Sequence, residues 1–381
     1  MPMPRTPTGA TRILQGIGLL ILVPVLLLAA CSEQAPPVPR PDRPAPTVLG
    51  HDDADALSGE QIRLRATLNW LGASFRGKAG IAVRDLRTGW TTGYDERAWM
   101  PQQSVSKLWV ALAALDRADR GEFDLGADVV VGRDDLTVFY QPIRKQAWLP
   151  GGFTTTHEDL LRRALSESDN TANDVLLRHV GGSGAIRETL AGKGLTGIRF
   201  GPGERLLQSS IAGLEWRPEY SLGKAFFHAR DDVPDRVRRK AFEAYLADPV
   251  DGASAGAIVA ALARLHAGEL LSAASTRKLL DILSHTKSGP KRLKGGLPEG
   301  WRIAHKTGTG QVLDKVHSAY NDVGILTAPS GRSYAVAILI GRTAMPVPER
   351  MEFMHRIVGA IVEYEAGVSA GAKAGGLSPD P

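Results

Sequence analysis

A single cysteine, Cys31, stands in a chain of 381 residues. No intrachain disulfide can form, so the folded part must be held by its apolar core alone. The nine histidines show no paired ligand spacing, and with no second thiol no metal site or other cofactor is indicated. Aromatic residues make up only 6% and nowhere interleave with a run of Lys and Arg, which argues against a nucleic-acid partner. The formal charge is +5. That balance suits an anionic surface or substrate, and equally an ordinary basic exported protein.

What is present at the start is a targeting segment. Arg5 and Arg12 precede a nearly unbroken apolar stretch, Ile17 to Leu28, which runs into Leu28-Ala29-Ala30-Cys31. Residues 1–31 resemble the bacterial lipoprotein signal, in which the cysteine is diacylated and becomes the new N-terminus. The alternative is an uncleaved anchor helix over Ile13 to Ala30, near the lower length limit for spanning a bilayer. Either way the rest of the chain is expected to be exported and tethered on the periplasmic side of a bacterial membrane, the outer membrane being the first choice. Residues 32–57 hold six prolines between Pro36 and Pro46 and read as a stiff spacer. Residues 367–381, rich in Gly, Ala, Ser and Pro, read as a disordered tail.

Between these ends, 58–366, periodicity alternates between two kinds. Ile62, Leu64, Leu68 and Leu71 recur near helical spacing over Ser58–Phe75, and a hairpin follows, Ala79 to Asp85 and Trp90 to Tyr94. Leu108 to Leu115 is apolar nearly all round and predicts a helix buried on every side. Thr155 to Glu158 forms a capping box opening another helix. Further helices are expected over Asn170–Val180, Val233–Tyr245, Ala255–His266 and Ser275–Leu283. Strands return at Arg302–Thr307, Ala319–Thr327 and Ser333–Ile340, before a last helix over Glu349–Glu365. This order predicts an α/β (α+β) domain: an antiparallel sheet flanked by helices, from 58–100 and 297–366, with an all-α part, 101–296, inserted into it.

Three short strings carry the chemistry: Ser104-Val105-Ser106-Lys107, Ser168-Asp169-Asn170 and Lys306-Thr307-Gly308. S-x-x-K alone is weak, since it recurs from Ser221, Ser275, Ser284 and Ser288. The other two strings occur once each, and their order around Ser104 makes the signal. A serine needs a base, and Lys107 shares a helix face with Ser104 at i, i+3. Ser104 at a helix N-terminus would also aim free N–H groups at a reacting carbonyl. Ser168 can pass a proton to a leaving amine, Asn170 can hold a substrate amide, and Asp169 suits a buttress of the loop. Lys306 and Thr307 can hold a carboxylate, Gly308 permits close approach, and the amide of Thr309 would complete an oxyanion hole with that of Ser104.

These strings are the set shared by class A β-lactamases and penicillin-binding proteins. From about Ser58 to Glu365 the chain resembles a class A β-lactamase, also in Ser168-Asp-Asn-Thr-Ala, Ala267-Gly-Glu-Leu-Leu and Leu297-Pro-Glu-Gly-Trp301. The resemblance implies that Ser104 is acylated, Lys107 is its base or relay, and Ser168 relays a proton to the β-lactam nitrogen. It implies further that Lys306 and Thr307 bind the substrate carboxylate. The family's deacylating glutamate falls at Glu204, in Glu204-Arg205-Leu206-Leu207-Gln208, with Gln208 where Asn is usual. Glu215 and Glu219 are the rival candidates. The expected substrate is a small β-lactam or a peptidoglycan peptide, and a monomer is expected. The competing functions are a D,D-peptidase and a non-catalytic cell-wall-binding lipoprotein.

Two departures stand out. About fifty residues separate Glu204 from the helix at Ala255, well beyond the family's short loop. No clear arginine follows Thr309 to help hold the carboxylate, which leaves Lys315 or His317 as substitutes. Phe139 or Tyr140 is expected at the pocket mouth.

Overall fold

The computed structural model describes residues 57–375. Cys31, the proline-rich spacer as far as residue 56, and residues 376–381 of the tail lie outside them. Helix α1 (Gly59–Ser74) begins where Ser58 and Gln61 each accept a hydrogen bond from the other's backbone N–H. It leads into the hairpin of β1 (Gly77–Asp85) and β2 (Thr91–Tyr94). After the short β3 (Met100–Pro101), a 3₁₀ turn over Gln103–Ser106 runs directly into α2 (Lys107–Asp119). Every residue of α2 from Lys107 to Leu115 is buried, as its all-round apolar sequence requires.

The middle of the chain is mostly helical. It holds β4 (Asp128–Val131), α3 (Arg144–Ala147), β5 (Phe153–Thr156), α4 (His157–Arg162), α5 (Asn170–His179), α6 (Gly182–Gly192) and α7 (Glu204–Ile211). Then come α8 (Ala225–Asp231), α9 (Asp235–Ala247), β6 (Gly252–Ala253), α10 (Ala255–His266) and α11 (Ala273–Ser284). The chain returns to the sheet with β7 (Arg302–Thr309), β8 (Val312–Leu313), β9 (Val316–His317), β10 (Tyr320–Thr327) and β11 (Ser333–Thr343), and closes with α12 (Val347–Gly375).

The main sheet runs β2-β1-β11-β10-β7, antiparallel throughout, with the β8–β9 pair attached to β11. Strand alternation divides the core in two. Tyr334, Val336, Ile338 and Ile340 of β11 pack with α1 and α12, whereas Ala335, Ala337 and Leu339 pack with α2 and α10. The three strings therefore reach one region from different directions: the turn before α2, the start of α5, and the last strand of the sheet path, β7.

Three expectations need correction. The stretch 101–296 is not wholly helical, since β4 pairs with β5 and β6 with β3. Thr155 remains in β5, and the cap of α4 is Thr156, whose hydroxyl accepts from the Asp159 N–H. Residues 367–375 are not a disordered tail but continue α12. Small residues allow that helix to lie close to α1: a β-carbon at Gly367 would collide with the Glu60 carboxylate. Among the described residues, no helix is long and apolar enough to cross a membrane.

Candidate active site

Ser104 sits in the 3₁₀ turn at the mouth of a cleft of about 670 Å³. The preceding residue, Gln103, is held at φ 52°, a left-handed conformation that costs a non-glycine residue about 1–2 kcal/mol. Its surroundings fix it there. The Gln103 N–H donates to Asp251 Oδ2 at 2.7 Å, and Asn321 Nδ2 donates to the carbonyls of Pro101 and Gln102 at 2.7 and 3.1 Å. Gly308 completes the seat, because a β-carbon there would stand 2.4 Å from the Gln102 carbonyl oxygen. The glycine thus admits the turn carrying Ser104 against β7.

Lys107 is 1% exposed and gathers the site around its amine. Nζ lies 3.1 Å from Ser104 Oγ, 2.9 Å from the Ser168 carbonyl and 3.4 Å from Glu204 Oε1, and it also donates to Asn170 Oδ1. Ser168, at φ 62°, directs its hydroxyl between two amines, 2.9 Å from Lys306 Nζ and 3.5 Å from Lys107 Nζ. Lys306 is fully buried, donates also to the Thr307 carbonyl at 2.9 Å, and does not line the cleft surface. Burial, with Lys107 and Arg292 nearby, pushes its amine well below the usual lysine range. Asp169 caps α5 and holds the Ile143 N–H at 2.7 Å, a buttress as its neighbours suggested. Asn170 is committed to the scaffold as well as the cleft, its Nδ2 donating to the Val138 carbonyl at 2.9 Å.

Glu204 opens α7 and is 5% exposed, whereas Glu215 and Glu219 are exposed and do not line the cleft. Asp174 of α5 caps this helix from outside, accepting from the N–H groups of Glu204 and Arg205 at 3.0 and 3.3 Å. Gln208, one turn on, donates through Nε2 to Glu204 Oε2 at 3.1 Å and to Gln103 Oε1 at 2.8 Å. Gln311 Nε2 in turn donates to Gln208 Oε1 at 3.0 Å. From the other side, Gln103 Nε2 donates to the hydroxyl of Tyr245 in α9, which donates to Asp251 Oδ1 at 3.0 Å. The long segment after Glu204 thus supplies a direct support for the nucleophile turn.

Burial raises the carboxyls of Asp174 and Asp251 to about 6. An acid raised in this way binds its proton more tightly in the folded than in the unfolded chain. Its stabilising effect is complete below the unfolded value of about 3.9 and is lost as pH rises through 6. In Asp251→Asn, the amide can keep both partners without titrating. The stability of the parent relative to this variant is expected to fall by about 1.4 kcal/mol per pH unit between pH 4 and 6, read from urea midpoints. A flat difference would show Asp251 ionised throughout.

The β7 side of the cleft carries Thr307 and Thr309, with Ser288 Oγ 2.7 Å from Thr307 Oγ1. An arginine does reach this side of the cleft, from before the strand. Arg292 lines the cleft, donates to the Gly308 carbonyl at 2.9 Å and the Thr309 hydroxyl at 2.5 Å, and lies 3.8 Å over the Tyr320 ring. Lys315 is exposed in the β8–β9 turn, and neither it nor His317 lines the cleft. Phe139 and Tyr140 both do. Sequence reading missed Gln103, Asp174, Tyr245, Asp251, Arg292 and Gln311. Only Gln103, adjoining the nucleophile, carried a local signal.

This arrangement on this fold has counterparts among known proteins. The chain belongs to class A of the beta-lactamase enzyme family, whose model matches residues 63–364. It is similar to the extended-spectrum β-lactamase PER-1 of Pseudomonas aeruginosa, 30% identical over 245 residues, 64% of this chain and 68% of that one. β-Lactamase VEB-1 of the same organism is 25% identical over 287 residues, 75% of this chain and 83% of that one. The solved structure of an ancestral class A β-lactamase (GNCA) superposes with a TM-score of 0.62 at 28% identity, covering 79% of this chain and 99% of that one.

Proposed function

We propose that the enzyme opens β-lactam rings through an acyl-enzyme on Ser104, released by a water that Glu204 activates. The observation carrying this reading is the buried amine of Lys107, within 3.4 Å of both the Ser104 hydroxyl and the Glu204 carboxylate. Ser104 Oγ gives up its proton to this pair and bonds to the lactam carbonyl carbon. The backbone N–H groups of Ser104 and Thr309 receive the developing oxyanion. The ring C–N bond then breaks, and the nitrogen takes a proton through Ser168, with Lys306 behind it. Thr307, Thr309 and Arg292 hold the carboxylate of the substrate. In the second half, Glu204, oriented by Gln208, takes a proton from water while the water oxygen bonds to the ester carbon. The bond from that carbon to Ser104 Oγ then breaks, and Oγ regains a proton through Lys107 as the ring-opened acid leaves.

A chromogenic cephalosporin, followed by colour and by protein mass, tests the whole cycle. Steady turnover without a lasting adduct is the expected result. A single burst with a persistent mass increase on Ser104 would mark a penicillin-binding enzyme instead, and no colour and no adduct a binder. The exported, lipid-anchored state is part of the same proposal. It predicts that radiolabelled palmitate enters the full chain, and that Cys31→Ser abolishes the label; equal labelling of both chains would refute the anchor.

A further inference from the structure

The extension after α7 also brings a cation to the cleft. Arg230, near the end of α8, lines it together with Phe139 and Tyr140. Its position follows from a chain of contacts starting at the catalytic strings. The Asn170 N–H donates to the Tyr140 carbonyl at 3.0 Å, which fixes the Phe139 loop on the α5 side of the cleft. Phe139 meets Phe226 edge-on at 5.1 Å and Phe227 at 5.8 Å, and the Arg230 guanidinium lies 5.1 Å over the Phe227 ring. Thr307, Thr309 and Arg292 belong to the β7 side.

Other cations lining this cleft are already engaged. Lys287 binds Glu167 at 2.8 Å, and Arg292 is tied to the β7 side by Gly308, Asn321 and Thr309, with one Nη2 hydrogen left for an anion there. Arg230 differs. Its side chain is 17% exposed, its Nε, like that of Arg292, is buried without a partner, and the nearest carboxylate oxygen, Asp231 Oδ1, is 3.6 Å away on a side chain 63% exposed. Arg238 competes for that same oxygen at 3.7 Å. A guanidinium keeps its charge, and removing it from water without a close anion is costly. An incoming carboxylate would supply what the protein withholds.

We propose that Arg230, beside the aromatic wall of Phe139 and Tyr140, forms an anion subsite for a carboxylate on the acyl side chain of the substrate. The inference rests on the β-lactam reading above and narrows it to dianionic substrates: one carboxylate for the Arg292 side, a second for Arg230.

The test compares benzylpenicillin with α-carboxybenzylpenicillin, which differ by that one carboxylate. Using the full chain, kcat/KM for both is measured in the parent, in Arg230→Ala and Arg230→Gln, and in Arg236→Ala as an exposed control. The dicarboxylate preference is expected to fall about tenfold in both Arg230 variants and to persist in the control. An unchanged ratio in a folded Arg230 variant overturns the subsite. Dissociation constants of both penicillins in Ser104→Ala, with and without Arg230→Gln, separate this inference from the reading beneath it. If the parent turns over neither compound, hydrolysis fails on its own. The subsite then stands if Arg230→Gln selectively weakens dicarboxylate binding, and falls if it does not.

Discussion

Glu204→Gln is expected to lower steady-state turnover by about 10²–10⁴-fold while Ser104 still becomes acylated, so that the intact-protein mass stays shifted by one substrate. The expectation follows from what the carboxylate touches. Glu204 Oε1 faces Lys107 and Oε2 accepts from Gln208, so the substitution keeps the shape but removes the only oxygen pair able to take a proton from water. It also leaves one oxygen to face two donors, so an amide N–H₂ meets either Lys107 Nζ or Gln208 Nε2, which adds about 1 kcal/mol of destabilisation. Acylation survives because Lys107 remains 3.1 Å from Ser104 Oγ. Unchanged turnover would remove Glu204 from the mechanism.

Lys107→Ala is expected to strike the other half-reaction, slowing the appearance of the adduct by about 10²–10⁴-fold in rapid-quench mass measurements. The loss extends to stability. The amine satisfies the Ser168 carbonyl and Asn170 Oδ1 and neutralises a Glu204 that is 5% exposed, so its removal leaves a buried carboxylate alone, at a cost of about 3–5 kcal/mol. Adding Glu204→Gln should recover about 1–3 kcal/mol of that loss, because the two groups are coupled. Strict additivity in urea unfolding would mean that the contact carries no energy. Lys107→Arg is not expected to rescue, since a guanidinium cannot give up its proton and the slot is closed to a larger group.

Much of this was legible because the informative residues are local. Ser104 and Lys107 lie one helical turn apart, and the alternating and all-round apolar patterns of β11 and α2 identify a two-faced sheet and a buried helix. The spacing that picked out Glu204 leads, across residues 193–203 after α6, to a buried carboxylate beside Lys107. The supports were illegible because each is contributed from far away. Asp251 reaches Gln103 across 148 positions, and nothing near Asp251 distinguishes it from a loop aspartate. Arg292 precedes Lys306 and acts by folding over Tyr320, so a search after Thr309 could not find it. The tail composition misled for a related reason: small residues that suggest disorder in isolation also allow two helices to approach.

The linked side-chain amides of Gln103, Gln208 and Gln311 have a consequence for how such an enzyme changes. A carboxamide can be turned end for end without altering its outline, but in a series each orientation dictates the next. Gln311 lines the cleft at the β7–β8 edge and Gln103 adjoins Ser104, so a replacement at Gln311 is transmitted through Gln208 to the far end. Any change at the β7–β8 edge would therefore arrive together with an altered setting of Glu204, and the two traits would be inherited as one.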